Sequence, residues 1–306
     1  MPPPHSLKVA KTLGELVELA MAIRNQWWQQ HTEEALGDRK LAEQWEETKQ
    51  FWRPWFRGHK DADWQLRPKL YRAGEPDVNK LFRFEEELRG EFKRRGWQLA
   101  PGFTLPVNKD EWGWYGLMQH YGAPTRLLDW SDGALTALYF ALRDSEKEDK
   151  CHHCSKPPDA CVWMLDPYRL NLVSFHPRDE SFGVALPDWE TADEYLPELF
   201  VGEKLLREYP LAIDPPHLFQ RLSSQRGHFT VFGTCPDGLY ELGQQNNCLI
   251  EKITIPENSI QQIRLELELS GVSEATTFPD LEALSRELES VWESHFGSAR
   301  LIPGNA

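Results

Sequence analysis

The segment HYGAPTRLLDWS, residues 120 to 131, gathers His120, Tyr121, Thr125, Arg126, Asp129, Trp130 and Ser131 in one short stretch. These residue types suit a shared task. A guanidinium can hold a phosphate, a carboxylate can face a sugar or a developing cation, and aromatic rings can stack on a flat group. An apolar run, ALTALYFAL, follows directly and reads as a buried helix. Its N-terminus adds free N–H groups and partial positive charge, which favour an anion. Plainer roles compete. Asp129 or Ser131 can cap the helix that starts near Gly133, Arg126 can pair with Asp129, and His120, Tyr121 and Trp130 can be packed groups of the core. The polar groups outnumber what a cap requires, so the expectation is a ligand-facing loop built on a helix N-terminus.

Three further constellations stand elsewhere. Arg57 lies between Phe56 and Gly58 in FWRPWFRGH, an aromatic run that reads as a short strand stopping at the glycine. From a strand end a long cation can reach into a cleft, and the glycine lets a backbone or a ligand come close. An ion pair with one of the many acidic residues is the plain alternative. In RLSSQRGHFTVFG, residues 221 to 233, Gln225, Arg226, His228 and Phe229 lead into an apolar strand. A Gln amide both donates and accepts, so it can fix a ligand hydroxyl; the plain reading is a polar loop. In CHHCSKPPDAC, Cys151 and Cys154 have the two-residue gap of a zinc knuckle, with His153 and Cys161 as further ligands. The two-plus-two spacing of a complete site is missing, and a polar insertion with incidental thiols is the alternative.

Periodicity supplies the elements that must position these groups. Thr12 and Glu15 form a capping box before a helix over 12 to 31. Residues 64 to 72 form a second short element. An amphipathic helix is expected over 78 to 97, with Leu81, Phe82, Phe84, Leu88 and Phe92 inward, and further helices over 112 to 121 and 133 to 143. Beyond 150, CVWMLDP, HFTVFG and CLIEKITIP read as strands, and 194 to 208 and 280 to 296 as helices. The class is α+β, a small mixed or antiparallel sheet with surrounding helices. The expected organisation is a helical extension over 1 to 45, a core over 46 to 285 carrying a Cys/His insertion at 145 to 161, and a helix end and tail over 286 to 306.

Charge narrows the partners. Lys plus Arg is 34 and Asp plus Glu 48, a formal net charge of −14. Such a surface repels phosphate backbones, which disfavours general nucleic-acid binding while allowing a local basic cleft. No apolar run reaches the roughly 18 residues of a membrane span. The N-terminus has proline and charge where a secretory leader needs apolar residues. Five cysteines, an odd number, fit a reducing cytoplasm better than a disulfide framework.

Several segments together resemble a known family. Phe56-Arg57-Gly58 with Leu66-Arg67-Pro68-Lys69-Leu70-Tyr71-Arg72 is similar to the opening signature of the FRG domain. His120-Tyr121-Gly122, then Pro124-Thr125-Arg126-Leu127-Leu128-Asp129-Trp130-Ser131 and Ala137-Leu138-Tyr139-Phe140-Ala141, resemble its central motif. Gln225-Arg226-Gly227 with Phe229 and Phe278-Pro279-Asp280-Leu281 resemble later elements. The pattern also looks like a divergent ADP-ribosyltransferase fold, an analogy at the level of fold. That resemblance implies NAD as ligand or substrate, with Arg57 on a phosphate or ribose. It implies Thr125, Asp129 or Ser131 beside the nicotinamide and Tyr121 or Trp130 stacked on it. Arg57, Arg126 and Gln225 would grip the dinucleotide, with Asp129 holding Arg126. One departure stands out: Gln225 occupies the late element, with no Glu between 223 and 229, so Asp129 and Glu251 are the candidate anions.

The leading expectation is therefore a bacterial, cytoplasmic FRG-domain protein that binds NAD or a related nucleotide. It would transfer ADP-ribose or hydrolyse NAD, in a toxin or phage-defence setting. Two alternatives remain open: a non-catalytic module for a nucleotide or a protein partner, and a metal-dependent hydrolase or nuclease using His120, Asp129 and His228.

Overall fold

Thr12 opens the first long element as its type and spacing signal. Its Oγ1 accepts from the Glu15 amide at 3.1 Å, and Glu15 Oε2 accepts from the Lys11 amide at 2.7 Å. Helix α1 then runs over Leu13–Gly37, and Asp38 caps α2, Arg39–Thr48, by accepting from the Lys40 and Leu41 amides. The structure, a computed structural model, describes residues 7–99, 105–107, 109–143, 158–174, 183–187, 190–196, 207–214, 227–246, 248–277, 284–286, 288–289 and 291–292.

Among the described residues seven strands form one mixed sheet: β1 Lys8–Val9, β2 Trp55–His59, β3 Leu127–Ser131, β4 Ala160–Leu165, β5 Leu211–Ile213, β6 Gly227–Val231 and β7 Ile250–Ile255. Their order is β1-β7-β4-β2-β3-β6-β5. Only β1 and β7 run parallel; the other neighbours are antiparallel. The helices are α3 Val78–Leu99, α4 Glu111–His120, α5 Ala134–Leu142, α6 Pro167–Ser174, α7 Glu190–Asp193, α8 Gly238–Gln245, α9 Ile260–Leu269 and α10 Glu274–Thr277. The chain is an α+β protein. Among the described residues no helix is long and apolar enough to cross a membrane.

Strand alternation sorts the core. Phe56, Val162, Met164, Ile253 and Ile255 point to one face, where they meet α1, α5 and α9. Trp55, Leu165, Leu128 and Trp130 point to the other and pack with Leu81 and Phe82 of α3 and Leu239 of α8. A third cluster joins Leu127, Phe229 and Val231 to Trp112, Tyr115 and Met118 of α4. Residues paired across strands share a face, so this third cluster lies beside the first, over the β3-β6-β5 half. The seam between the two runs along β2 and β3. There the pairing consists of Phe56↔Ser131 alone, whereas β2 pairs with β4 at five positions.

Gly58 shows why the sequence needs a glycine at the seam. A Cβ there would run into the backbone of α5, against Ala137 O and 2.6 Å from Ala141 N. The close approach is that of a helix, and the strand continues past Gly58 to His59.

Several sequence expectations change. Residues 127 to 131 are a strand instead of a loop; it is buried on both sides except at Asp129, so it lacks a simple alternation. In α3, Phe84 is exposed, while Glu85 and Arg89 turn inward beside Leu81 and Phe82. Residues 69 to 73 form a 3-10 turn that ends at Gly74 in the left-handed region. Of the helix expected over 194 to 208, residues 194 to 196, 207 and 208 are turn or irregular and 197 to 206 lie outside the described residues; a short helix, Glu190–Asp193, ends just before the range. Of the helix expected over 280 to 296, only pieces between 284 and 292 are described. Within the N-terminal helical stretch over 1 to 45, β1 joins the sheet, and Leu16, Ile23 and Trp27 of α1 belong to the first core cluster.

Candidate functional site

Where β2 and β3 part, a cleft of about 700 Å³ opens, within the roughly 300–1,000 Å³ usual for ligand pockets. Its walls come from β2 (Phe56 to His59), β3 (Asp129 to Ser131), β6 (Gly227 and Phe229) and α5 (Thr136, Ala137 and Phe140). The segment after β2 closes the remaining side with Lys60, Trp64, Arg67, Tyr71 and Arg72. Cations therefore gather here in a chain whose net charge is −14. Arg67 is neutralised by Asp237, with Nε 2.6 Å from Oδ1 and Nη2 on Oδ2. Among the described residues Asp129 is the carboxylate on the cleft wall. Rings of Phe56, Trp64, Tyr71, Trp130, Phe140 and Phe229 supply the apolar lining.

Arg57 is fixed at the centre. Its Nε donates to His59 Nε2 at 3.2 Å, and its Nη1 donates to the Asp129 carbonyl oxygen at 2.6 Å. Asp129 Oδ2 lies 3.9 Å from the same Nη1. The Arg57 side chain is 18% exposed and that of Asp129 56%. Cleft desolvation raises the Asp129 carboxyl from its usual range, and Arg57 and Gln119 oppose it by favouring the ionised form. Because more than half of the side chain faces the opening, we read this desolvation as coming from the cleft walls and not from full enclosure. Gln119 Nε2 donates to Asp129 Oδ2 at 2.7 Å, and the Thr125 hydroxyl donates to Gln119 Oε1. That second bond fixes which way the Gln119 amide faces. Burial and Arg57 push the His59 imidazole down to about 3, so it stays neutral.

Arg126 does something else. It is fully buried, its Nε 2.7 Å from Glu85 Oε2, with Nη1 on Phe232 O at 2.9 Å and Nη2 on Tyr195 O at 2.5 Å. Glu85 also accepts from the Arg126 amide and from the Tyr115 hydroxyl. The expected Arg126–Asp129 pair and the expected grip of Arg126 on a ligand are both overturned: this guanidinium ties β3 to α3 and to the turn after β6. Adjacent strand positions face opposite ways, which already separates Arg126 from its neighbours in sequence.

The other expected residues divide. Trp130, Ser131 and Phe229 line the cleft with Arg57 and Asp129. Trp130 is buried with Nε1 on Thr230 Oγ1 at 3.1 Å, and Ser131 Oγ accepts from the Gly133 amide at 3.1 Å. Thr125 is buried beneath, acting through Gln119. His120 and Tyr121 sit at the C-terminal end of α4, ring to ring, away from the cleft lining. Glu251 is bound to Lys8 at 2.9 Å on β7, two strands removed from β2, and is no anion of this site. His228 stacks on Trp55 and bonds Asp214 through Nδ1 at 2.6 Å, so His120, Asp129 and His228 are not brought together. Gln225, Arg226, Cys151, His153 and Cys154 lie outside the described residues. Cys161 is buried on β4 opposite His59, its thiol pushed up to about 12 by burial. Among the described residues, no three His, Cys, Asp or Glu gather as metal ligands.

Sequence reasoning passed over His59, Trp64, Arg72 and Gln119. The first three follow Arg57 within fifteen positions, in a segment rich in cations and rings. Gln119 gave no signal, because its role depends on α4 meeting β3.

No curated protein and no solved structure matches the chain. The family model described as FRG domain matches residues 53–150. This span holds β2, the cation-bearing turn, α3, α4, β3 and α5, so nearly every wall of the cleft lies within it. The chain carries an FRG domain.

Proposed function

We propose that the β2–β3 cleft binds NAD or a related nucleotide. The observation that carries this reading is the joint presence of guanidiniums and rings in one cleft of suitable size on an otherwise acidic protein. The phosphates lie against Arg57 and Arg72, and a base or nicotinamide ring lies against the aromatic lining. Arg57 is already anchored through Nε and Nη1, so little side-chain entropy is lost on binding.

The same cleft suits cleavage of the N-glycosidic bond. The bond from ribose to nicotinamide breaks, its electron pair leaves with the nicotinamide, and the ribose carbon becomes oxocarbenium-like. A water or a nucleophilic acceptor then bonds to that carbon and gives up its proton. Ionised Asp129 supplies the negative charge that stabilises the cationic sugar, held in place by Gln119. Binding without turnover is the second reading, favoured because Asp129 already has two partners, Arg57 and Gln119.

The test compares wild type with Arg57→Ala for NAD binding by calorimetry and NAD loss by chromatography, with circular dichroism as the fold control. One charge-assisted hydrogen bond is worth about 1.5–3 kcal/mol, so the variant should bind roughly ten- to a hundredfold more weakly. Turnover by the wild type separates enzyme from sensor. A wild type that binds neither NAD nor ADP-ribose would remove the proposal.

A further inference from the structure

We propose that His59 is a positioning residue of the cleft: a neutral acceptor that holds the Arg57 guanidinium so that Nη2 faces a bound anion. This rests on the nucleotide-site reading for the identity of the anion, while the clamp itself rests on geometry. Arg57 remains protonated in proteins, so its Nε always donates. The bond Nε to His59 Nε2 at 3.2 Å therefore requires His59 Nε2 to be bare, which leaves the imidazole proton on Nδ1. On the other side Nη1 donates to the Asp129 carbonyl. With two nitrogens tied, one to each wall of the split sheet, the guanidinium plane is fixed. Nη2 has no partner among the described residues and is the donor left for a ligand.

The surroundings keep His59 neutral. It is 4% exposed, and Arg57, Arg72 and Lys252 all act against a second positive charge. The Cys161 thiol stands opposite on β4, itself protonated by burial. The Trp64 ring leans over the imidazole at 6.1 Å, and Nδ1 is buried near the Trp64 backbone without a hydrogen bond of normal geometry. A protonated His59 would present an N–H to an N–H, and the clamp would open.

Two arms test this on the full chain. Nitrogen NMR of the wild-type imidazole should find the proton on Nδ1 and no titration between about pH 5 and about pH 8, against about 6.5 for a free histidine. A proton on Nε2, or a midpoint near the free value, overturns the clamp. In the second arm, ADP-ribose is the probe. His59→Leu should bind about tenfold more weakly than wild type, the worth of one lost bond to a charged group. His59→Gln, whose carbonyl can accept from Arg57, should recover most of that loss. Equal binding by wild type and His59→Leu overturns the proposal. If the wild type binds neither ADP-ribose nor NAD, the nucleotide reading fails alone. The clamp then stands or falls on the tautomer and on whether the Arg57 Nε–H signal, slow to exchange in wild type, is lost in His59→Leu.

Discussion

Replacing Arg126 with methionine should cost stability and leave the cleft chemically intact. Methionine fills much of the same volume but carries no charge and no donors. Glu85, fully buried, would lose its partner at 2.7 Å while keeping its bonds from Tyr115 and the Arg126 amide. Removing one member of a buried pair typically costs about 3–5 kcal/mol, because the remaining charge is left without compensation. The carbonyls of Phe232 and Tyr195 lose their donors as well, at about 1–3 kcal/mol for each that water cannot reach. The expected loss is thus at least about 3 kcal/mol, a large part of the roughly 5–15 kcal/mol of a typical domain. Urea unfolding followed by circular dichroism reads it. The double variant Glu85→Leu, Arg126→Met removes both charges and should lose less than the sum of the single variants. A folded Arg126→Met that loses under about 1 kcal/mol yet binds NAD far more weakly would refute the reasoning, since that is the pattern of a ligand contact.

Two further outcomes follow from the same geometry. Gly58→Ala should unfold the chain or cost about 1–3 kcal/mol, because its Cβ meets the backbone of α5, which cannot swing away as a side chain would; thermal unfolding equal to wild type would contradict this. The Cys161 thiol, pushed up to about 12, gives an alkaline limb. The unfolded thiol releases its proton near pH 9 while the folded one retains it. The contribution is therefore complete below about pH 9 and is lost as pH rises towards about 12, at about 1.4 kcal/mol per pH unit. Urea unfolding between about pH 8 and about pH 10.5 should show a shallower fall in Cys161→Ala than in wild type, and parallel curves would count against it.

What the sequence made legible was local. Thr12 and Glu15 marked a helix start because a cap is written in adjacent residues, and FWRPWFRGH marked a strand because aromatic density and a glycine are local too. What it hid depends on which elements meet. LLDWS looked like a loop because a strand covered on both faces has no polar side to reveal its period, and its one exposed residue, Asp129, read as a ligand-facing anion or, more plainly, as a helix cap. Arg126 and Arg57 are both arginines of a motif, yet one is sealed against Glu85 and the other opens onto the cleft. The difference is set by Glu85, an inward-facing acid on α3 that its own helix pattern made look solvated.

That division says how the motif works. Residues 125 to 131 hold β3 in place from beneath, through Thr125 on Gln119 and Arg126 on Glu85, and present Asp129 and Ser131 above. A single register pair joins β3 to β2, so the strands are free to part and leave room for a ligand. On its other edge β3 keeps five register pairs with β6, and the buried ion pair and the Gln119 relay add to these in fixing where β3 lies. The polar groups before α5 are numerous because they do both tasks. Thr125 and Arg126 anchor β3, Asp129, Trp130 and Ser131 line the space beside β2, and His120 and Tyr121 take part in neither.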